Sequence, residues 1–175
     1  MKGAGIEISG YNEATRAVGI IAQKLEHRTP LWKAVGDEIA QQTAERFETS
    51  TGPDGQVWPP SWRVREHGGK TLLLSGLLRK SITVNAHEDG GEVGSPLMIA
   101  LVHQHGATIK AKTEKGLHWN YQTKGANAAS HARKMEVTIP ARPFMGTNAE
   151  DEAGILDEAE RYLREENYLL KGQIP

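Results

Sequence analysis

The sequence predicts an α+β fold: N-terminal helices, a small antiparallel sheet with a long hairpin or loop arm, and a C-terminal helix. Apolar residues recur at three- and four-residue spacing before residue 50 and again after residue 148, which indicates amphipathic helices. Short alternating segments between them are separated by Gly and Pro turns, as in antiparallel strands. With 175 residues and no internal repeat, we expect one domain over 1–175.

The first predicted elements are a short strand, Ile6–Ser9, and a helix, Asn12–Glu26. Asn12 is suited to the N-cap of that helix. Its apolar residues fall on one face: Val18, Ile21 and Leu25.

A second helix is predicted from Thr29 and Pro30 onward. Thr29 is expected to cap it, and Pro30 suits its first position, where no N–H is needed. A stripe of apolar residues along this helix is expected in the core: Leu31, Val35, Ile39 and Phe47.

The segment Thr51–Gly55 is a predicted turn, since it combines Pro, Asp and Gly. Trp58 and Trp62 follow on either side of Pro59-Pro60, in a stretch expected to be extended. Two indoles there are expected to anchor the loop on the core, or alternatively to line a peptide-binding groove.

The middle of the chain is expected to form a β-hairpin, followed by a short helix. Ser81–Val84 alternates like a strand, and Gly90-Gly91 is predicted to turn the chain into the second strand, Glu92–Gly94. Ser95-Pro96 is typical of a helix start, so the sequence predicts a helix from Leu97 to about His103, closed by Gly106.

Residues 107–137 contain few large apolar side chains, so we expect a long hairpin arm or a flexible loop that ends in a strand, Glu136–Ile139. An extended segment, Pro140–Phe144, follows. Thr147 or Asn148 is then predicted to cap a final helix with an acidic first turn and an inner stripe of Ile155, Ala159 and Tyr162.

The composition narrows the class of protein. A net charge of −1 and a pI near 6.7 disfavour a dedicated nucleic-acid binder. The absence of cysteine excludes disulfides and thiolate metal sites. The start of the chain shows no signal peptide, and no apolar run is long enough to cross a membrane. We therefore expect a soluble protein that is intracellular where it is made, with no membrane partner.

Charge is unevenly distributed along the chain. Residues 107–137 carry six basic and two acidic side chains, a net +4, whereas residues 148–175 carry eight acidic and three basic side chains, a net −5. The two regions are either solvated surfaces or complementary contacts between neighbouring copies.

The residues allow two alternative functions, of which the first would need a metal ion; otherwise no cofactor or metal is expected. A metal-dependent hydrolase would use His103, His105 and His118, but residues two apart on a helix point roughly 200° away from each other. A nucleic-acid-binding module would use the 107–137 arm, with Trp119 and Tyr121 stacking on bases. No nucleophile elbow or phosphate-binding loop is present, so no enzymatic activity is expected.

An ordered series of short motifs carries a resemblance to a known family. The series is Arg46-Phe47, Pro53-Asp54-Gly55 with Trp58, Leu74–Leu78 with Ser81-Ile82, Val93-Gly94-Ser95, Ala100 with His103-Gln104 and Gly106, and Ile139–Gly146. Over about residues 30–165 it resembles the phage virion morphogenesis family of Mu-like tailed phages and prophages, whose members are tail-completion proteins. Two positions depart from the family pattern: Ile99-Ala100 replaces a Tyr-Ala pair, and His105 replaces an aromatic residue before Gly106.

The resemblance implies a small, non-enzymatic structural protein of the head–tail junction. Its expected partners are further copies of itself, in a ring, and other tail or connector proteins; nucleic acid is not expected. Its expected location is the virion, and the host bacterial cytoplasm during assembly. The candidate interface or family-motif residues are Trp58, His103, Gln104, Arg142 and Phe144.

Two further expectations concern contacts. Pro140 and Pro143 bracket Arg142 and should hold that segment extended, so Arg142 is expected either to anchor on a carboxylate of its own chain or to reach a neighbouring subunit. The 107–137 arm is poor in apolar residues and is expected to gain order by lying on an adjacent copy.

Overall fold

The computed structural model describes residues 11–121 and 130–164, with the side chains of 15–117 and 134–164. The predicted α+β class is confirmed, whereas the predicted strand Ile6–Ser9 lies outside the described residues. In chain order the elements are α1 Tyr11–Glu26, α2 Thr29–Thr49, α3 Trp62–His67, α4 Leu77–Lys80, β1 Thr83–His87, β2 Gly90–Gly94, α5 Met98–His105, β3 Ala107–Lys110, β4 Leu117–Tyr121, β5 Ser130–Lys134, β6 Glu136–Ile139 and α6 Ala149–Arg164. None of the described helices combines the length and apolar character needed to cross a bilayer.

Within the described residues the strands form three separate antiparallel pairs rather than one sheet: β1 with β2, β3 with β6, and β4 with β5. The predicted hairpin is present, but its turn is formed by Glu88 and Asp89, since His87 pairs with Gly90. The predicted turn at Gly90-Gly91 is therefore wrong. Gly91 belongs to β2, where a Cβ would lie 3.4 Å from the carbonyl oxygen of Trp32. A Cβ at this position would make only an ordinary van der Waals contact with α2.

Residues 107–137 form a hairpin arm in their described part, which favours the first of the two alternatives. β3 and β6 pair at its base from Ala107 with Ile139 to Lys110 with Glu136. β4 and β5 continue the arm beyond this base. The predicted strand over Glu136–Ile139 is confirmed as β6.

The α2 helix is central, because it packs against both β1 and α6. Of its predicted core stripe only Phe47 is fully buried, and the other three apolar residues are half-buried. The more buried neighbours are small or polar, and they include Ala34, Gly36 and Thr43. A Cβ at Gly36 would lie 2.4 Å from Cγ1 of Val84, so β1 packs against the helix backbone at this point. Close approach to β1 thus determines which face of α2 is buried.

The α1 helix is present, but its apolar face is exposed. Val18 is 66% exposed, and Ile21 and Leu25 lie on the same side. Among the described side chains of α1 it is Lys24 that is buried, and its ammonium group donates to the carbonyl oxygens of Tyr162 and Leu163 near the end of α6. A cation at the C-terminus of a helix satisfies carbonyls that have no partner within the helix.

Three predicted helix caps are displaced. Asn12 already lies inside α1, and Arg28 rather than Thr29 precedes α2. The hydroxyl of Thr29 instead donates to Glu88 of the β1–β2 turn over 2.6 Å. Ser95 accepts the N–H of Leu97 over 3.2 Å, which delays the start of α5 to Met98. The hydroxyls of Thr29 and Ser95 each bind a group outside the helix that they were predicted to cap, so neither acts as an N-cap.

At α6 the predicted cap is confirmed. The side-chain oxygen of Asn148 accepts the N–H groups of Glu150 and Asp151, each over 2.9 Å. The inner face of α6 contains the fully buried Tyr162 and the half-buried Ile155 and Ala159, as the periodicity predicts.

The core is built around three aromatic rings. The ring of Phe47 lies 5.7 Å from that of Trp58, edge to face, and 5.3 Å from that of Phe144. Leu78 and Ala100 complete this buried cluster. Trp58 therefore anchors the 51–60 loop as predicted. The same prediction is wrong for Trp62, which begins α3, is 42% exposed, and packs edge to face against His67.

Candidate interaction site

The extended segment Pro140–Gly146 links β6 to α6, and side chains from elsewhere in the fold bind its backbone. The amide oxygen of Gln104 on α5 accepts the N–H groups of Phe144 and Met145, each over 3.1 Å. The amide nitrogen of Gln104 donates to the carbonyl of Met145 over 2.8 Å. Gln104 thus satisfies backbone groups that a neighbouring strand would otherwise satisfy.

Arg46 of α2 binds the same segment from the other side. Its guanidinium donates to the carbonyl of Phe144 over 3.0 Å and to that of Gly146 over 2.7 Å. It also forms a buried ion pair with Asp151 in the first turn of α6. The indole N–H of Trp58 donates to the carbonyl of Pro143 over 2.9 Å. We call this set of contacts the motif junction; it joins α2, α5 and α6 through one extended segment.

Arg142 lies beside the motif junction and is only 5% exposed. Its backbone N–H donates to the carbonyl of His103 over 2.6 Å, and its Nε donates to the carbonyl of Pro59 over 2.8 Å. The intramolecular anchor of Arg142 is therefore a backbone carbonyl rather than the carboxylate that the sequence suggested. Burial lowers the pKa of Arg142 from its ordinary value, but an arginine stays protonated at neutral pH.

His103 lies next to Arg142 and is half-buried. Its Nδ1 atom is buried and has no hydrogen-bond partner within the described residues. The pKa of His103 is lowered, first by burial, which penalises the charged imidazolium, and second by the positive charge of Arg142. The imidazole is therefore held in its neutral form near neutral pH.

A cavity of about 300 Å³ opens over His103 and Arg142. We call it the leucine groove, because its outer walls are leucine side chains from the 72–78 segment together with Ile99 of α5. Leu74 is 76% exposed and Leu77 is 63% exposed, whereas Arg142 is almost fully buried. The groove therefore has an apolar rim and a cationic floor.

Apolar exposure continues along α5 beyond the groove. Met98 is 75% exposed and Leu101 is 59% exposed, and Ile99 lies between them in the chain. Concentrated apolar surface of this kind is typical of protein–protein contact sites, since monomeric proteins rarely expose it. The leucine groove and the exposed side of α5 are accordingly the best candidate for a binding surface.

The sequence-predicted site residues fall into two groups. Trp58, Gln104 and Phe144 are part of the motif junction, where they pack and make hydrogen bonds inside the fold. His103 and Arg142 contact the same junction through their backbones and also line the leucine groove. The motif residues therefore shape the groove from beneath, and three of the five are internal.

Comparison with known families assigns the chain. A model of the phage virion morphogenesis family matches residues 10–164. The chain belongs to this family. The family match confirms the resemblance carried by the motif series, and it extends to α1, which precedes the region where that series begins.

Two curated relatives are similar over most of the chain. "Mu-like prophage FluMu G protein 2" of Haemophilus influenzae is 28% identical over 159 residues, covering 91% of this chain and 95% of the relative. "Putative capsid assembly protein G" of Escherichia phage Mu is 28% identical over 128 residues, covering 68% of this chain and 69% of the relative. No solved structure matches the chain. Family membership gives the protein a structural role in phage virion assembly, associated with other phage proteins.

The two alternative functions gain little from the geometry. His103 and His105 both belong to α5, so they point away from each other and cannot bind one metal ion together. The side chains of His118, Trp119 and Tyr121 lie outside the described residues. At the described base of the arm, Lys110 lies 3.5 Å from Glu136, which partly offsets its positive charge.

Sequence reasoning missed the residues that form the groove rim and the ion pair beneath the junction. The leucine-rich 72–78 stretch was visible in the sequence, but its side chains alternate between buried Leu78 and exposed Leu74 and Leu77 without a regular period. The Arg46–Asp151 pair joins positions 105 residues apart. A single sequence contains no signal for such a long-range pair.

Proposed function

We propose that this protein is a structural subunit that completes the tail or joins head to tail, and that it acts by assembling with copies of itself, in a ring, and with tail or connector proteins. The observation that carries the proposal is the leucine groove, an exposed apolar rim above a buried cation. Such a site is suited to binding another polypeptide, since apolar contact supplies affinity and a buried charge supplies specificity. The protein then resides in the virion, and in the host cytoplasm during assembly.

The motif junction supports this proposal, because its buried residues hold in place the two elements that line the groove. The junction fixes α5 against Pro140–Gly146, and the groove is lined by residues of these two elements, Ile99 and His103 from the first and Arg142 from the second. A rigid support of this kind preorganises a binding surface and lowers the entropic cost of assembly.

The arm adds a second feature suited to assembly. It begins at Ala107, directly after α5, and its described strands pair with each other. The basic 107–137 region and the acidic 148–175 region have opposite net charge. We propose that the arm lies on an adjacent copy, where opposite charges fix the register of neighbouring subunits.

The proposal is tested by measuring mass and binding together. Sedimentation or mass photometry over a wide range of concentration should show species larger than the 19.2 kDa monomer. Tagged protein incubated with purified tails of a phage that lacks this gene should co-purify with them. A protein that stays monomeric throughout and binds no virion component contradicts the proposal.

A further inference from the structure

Arg142 has a positive charge that no acidic group offsets within the described part of the chain. Of its five guanidinium N–H donors, Nε donates to the carbonyl of Pro59, and none forms an ion pair with a described side chain. Arginines that are almost fully buried are normally paired, because removing a charge from water costs several kcal/mol. The terminal nitrogens of Arg142 are therefore suited to bind an anion that enters the leucine groove.

The groove also restricts what else the ligand carries. Leu74, Leu77 and Ile99 surround the entrance, so the ligand needs an apolar group beside its anionic one. A side-chain carboxylate next to a leucine meets both requirements, since carboxylates bind guanidinium groups in a bidentate geometry.

The outer face of α6 has this combination of groups. Glu152, Leu156 and Glu160 are spaced by four residues and form one exposed stripe. Leu156 is 65% exposed, and Glu152 makes no ion pair within the described residues. Glu160 is paired with Arg164 over 2.8 Å, so Glu152 is the available carboxylate of the stripe.

We infer that the leucine groove receives α6 of a second copy of this chain, with Leu156 between Leu74 and Leu77 and the carboxylate of Glu152 on the guanidinium of Arg142. This inference rests on the proposed assembly function and names its contact. In the proposed ring, each copy gives its α6 stripe to one neighbour and its groove to the other, so the contact is heterologous, head to tail. A heterologous contact closes into a ring when its rotation allows.

A pair of exposed substitutions tests the contact without disturbing the core. Leu74→Asp places a charge on the groove rim, and Leu156→Asp places one on the α6 stripe. Each variant alone should be monomeric under conditions in which the wild-type protein assembles. Val57→Asp is the matched control, because Val57 is 74% exposed and lies outside the groove lining, and this variant should assemble normally.

Mixing the two variants is the decisive step. The Leu74→Asp variant keeps an intact α6 stripe, and the Leu156→Asp variant keeps an intact groove. A 1:1 mixture should therefore form a dimer of one copy of each and nothing larger. Two variants that are monomeric alone and remain monomeric when mixed overturn the inference.

The carboxylate is tested separately with Glu152→Gln, which keeps the size of the side chain and removes its charge. We expect the dissociation constant of the mixed dimer to rise at least about tenfold when this change is added to the copy that supplies α6. Asp157→Asn, on the same helix but off the stripe, should leave it unchanged. An unchanged constant for Glu152→Gln overturns the role of Arg142 as its receptor.

The remaining outcomes separate this inference from the proposed function. A wild-type protein that assembles, with variants that assemble equally well, overturns the contact and leaves the assembly function standing. Loss of binding to tails with self-assembly intact means that another virion protein occupies the groove, which also overturns the inference. A wild-type protein that is monomeric and binds no tails contradicts both.

Discussion

Gln104 has an unusual density of contacts for a single side chain. Its amide group binds two N–H groups and one carbonyl of Pro140–Gly146, a segment that pairs with none of the described strands. Neighbouring Arg46 and Trp58 satisfy three further carbonyls of the segment. At the residue scale, this segment is held in place by side chains that replace backbone pairing.

We predict that Gln104→Ala lowers the free energy of unfolding by about 2 kcal/mol, because three backbone groups lose their partner. Urea denaturation at neutral pH measures this difference. Gln41→Ala, which removes an exposed glutamine from α2, should change the value by less than about 0.5 kcal/mol. Equal stability of the two variants would show that the Gln104 contacts contribute little to the fold.

We predict that the free energy of unfolding depends on pH through His103. Because the folded-state pKa of His103 lies below the ordinary value of 6.5, the unfolded chain binds more protons in the interval between the two values. The stability that the neutral His103 contributes is therefore fully present above about pH 6.5. It is lost progressively as the pH falls from there, and the loss ends once the pH is below the folded-state pKa.

Thermal or urea unfolding between pH 7.5 and pH 5 measures this dependence. His103→Gln should flatten the stability profile, whereas His105→Gln, at an exposed position of the same helix, should keep it. A profile that His103→Gln leaves unaltered would contradict the pKa shift.

Contacts between residues that are close together in the chain could be predicted from the sequence, whereas contacts between distant residues could not. Asn148 was predicted to cap α6 because the capping pattern is local, and Trp58 was predicted to be an anchor from its position beside two prolines. The ion pair between Arg46 and Asp151 was not predicted, since it depends on how α2 and α6 meet. The acceptor of Arg142, the carbonyl of Pro59, was missed for the same reason.

At the scale of elements, the helices and the arm were predictable from periodicity and composition, whereas their ends were less so. The β1–β2 turn lies at Glu88-Asp89, and Gly90 and Gly91 pair with β1, so a glycine pair that resembled a turn belongs to a strand instead. The α3 helix was not predicted, because two prolines before Trp62 suggested a longer extended segment. Where the local sequence signals were ambiguous, tertiary contacts determined where each element begins and ends.

The contact between α2 and α6 yields a prediction at this scale. Asp151→Ala leaves Arg46 as a buried cation without its carboxylate, and we expect a loss of about 3 kcal/mol in the free energy of unfolding. Asp157→Ala, on the exposed side of the same helix, should cost less than about 0.5 kcal/mol. Chemical denaturation of both variants decides the matter; a small loss for Asp151→Ala would mean that the pair is not buried in solution.

The arm gives a prediction that separates folding from assembly. A short Gly-containing turn in place of residues 112–134 would retain the β3–β6 pair at the base and remove β4 and β5. Since β4 and β5 pair with each other, the free energy of unfolding should stay within about 1 kcal/mol of the wild-type value. Mass photometry of the shortened protein should show weakened assembly, and full assembly would remove the arm from the proposed contact.

For the molecule as a whole, the leucine groove could not be predicted from one sequence. Leu74 and Leu77 look like core residues by type, and only the fold shows that they surround a nearly buried arginine. The motif series did predict the family, because it records the spacing of the residues that form the junction beneath the groove. Family membership was therefore predictable, whereas the surface proposed to carry the function required the structure.

We propose that this protein acts in virion assembly by joining parts of the particle. Electron microscopy of lysates from a phage deleted for this gene tests it most directly, with the fraction of heads attached to complete tails as the measured quantity. We predict that separate heads and unfinished tails accumulate, and that the wild-type gene restores joined particles whereas Leu74→Asp does not. Normal numbers of joined, infectious particles in the deletion strain would contradict the account.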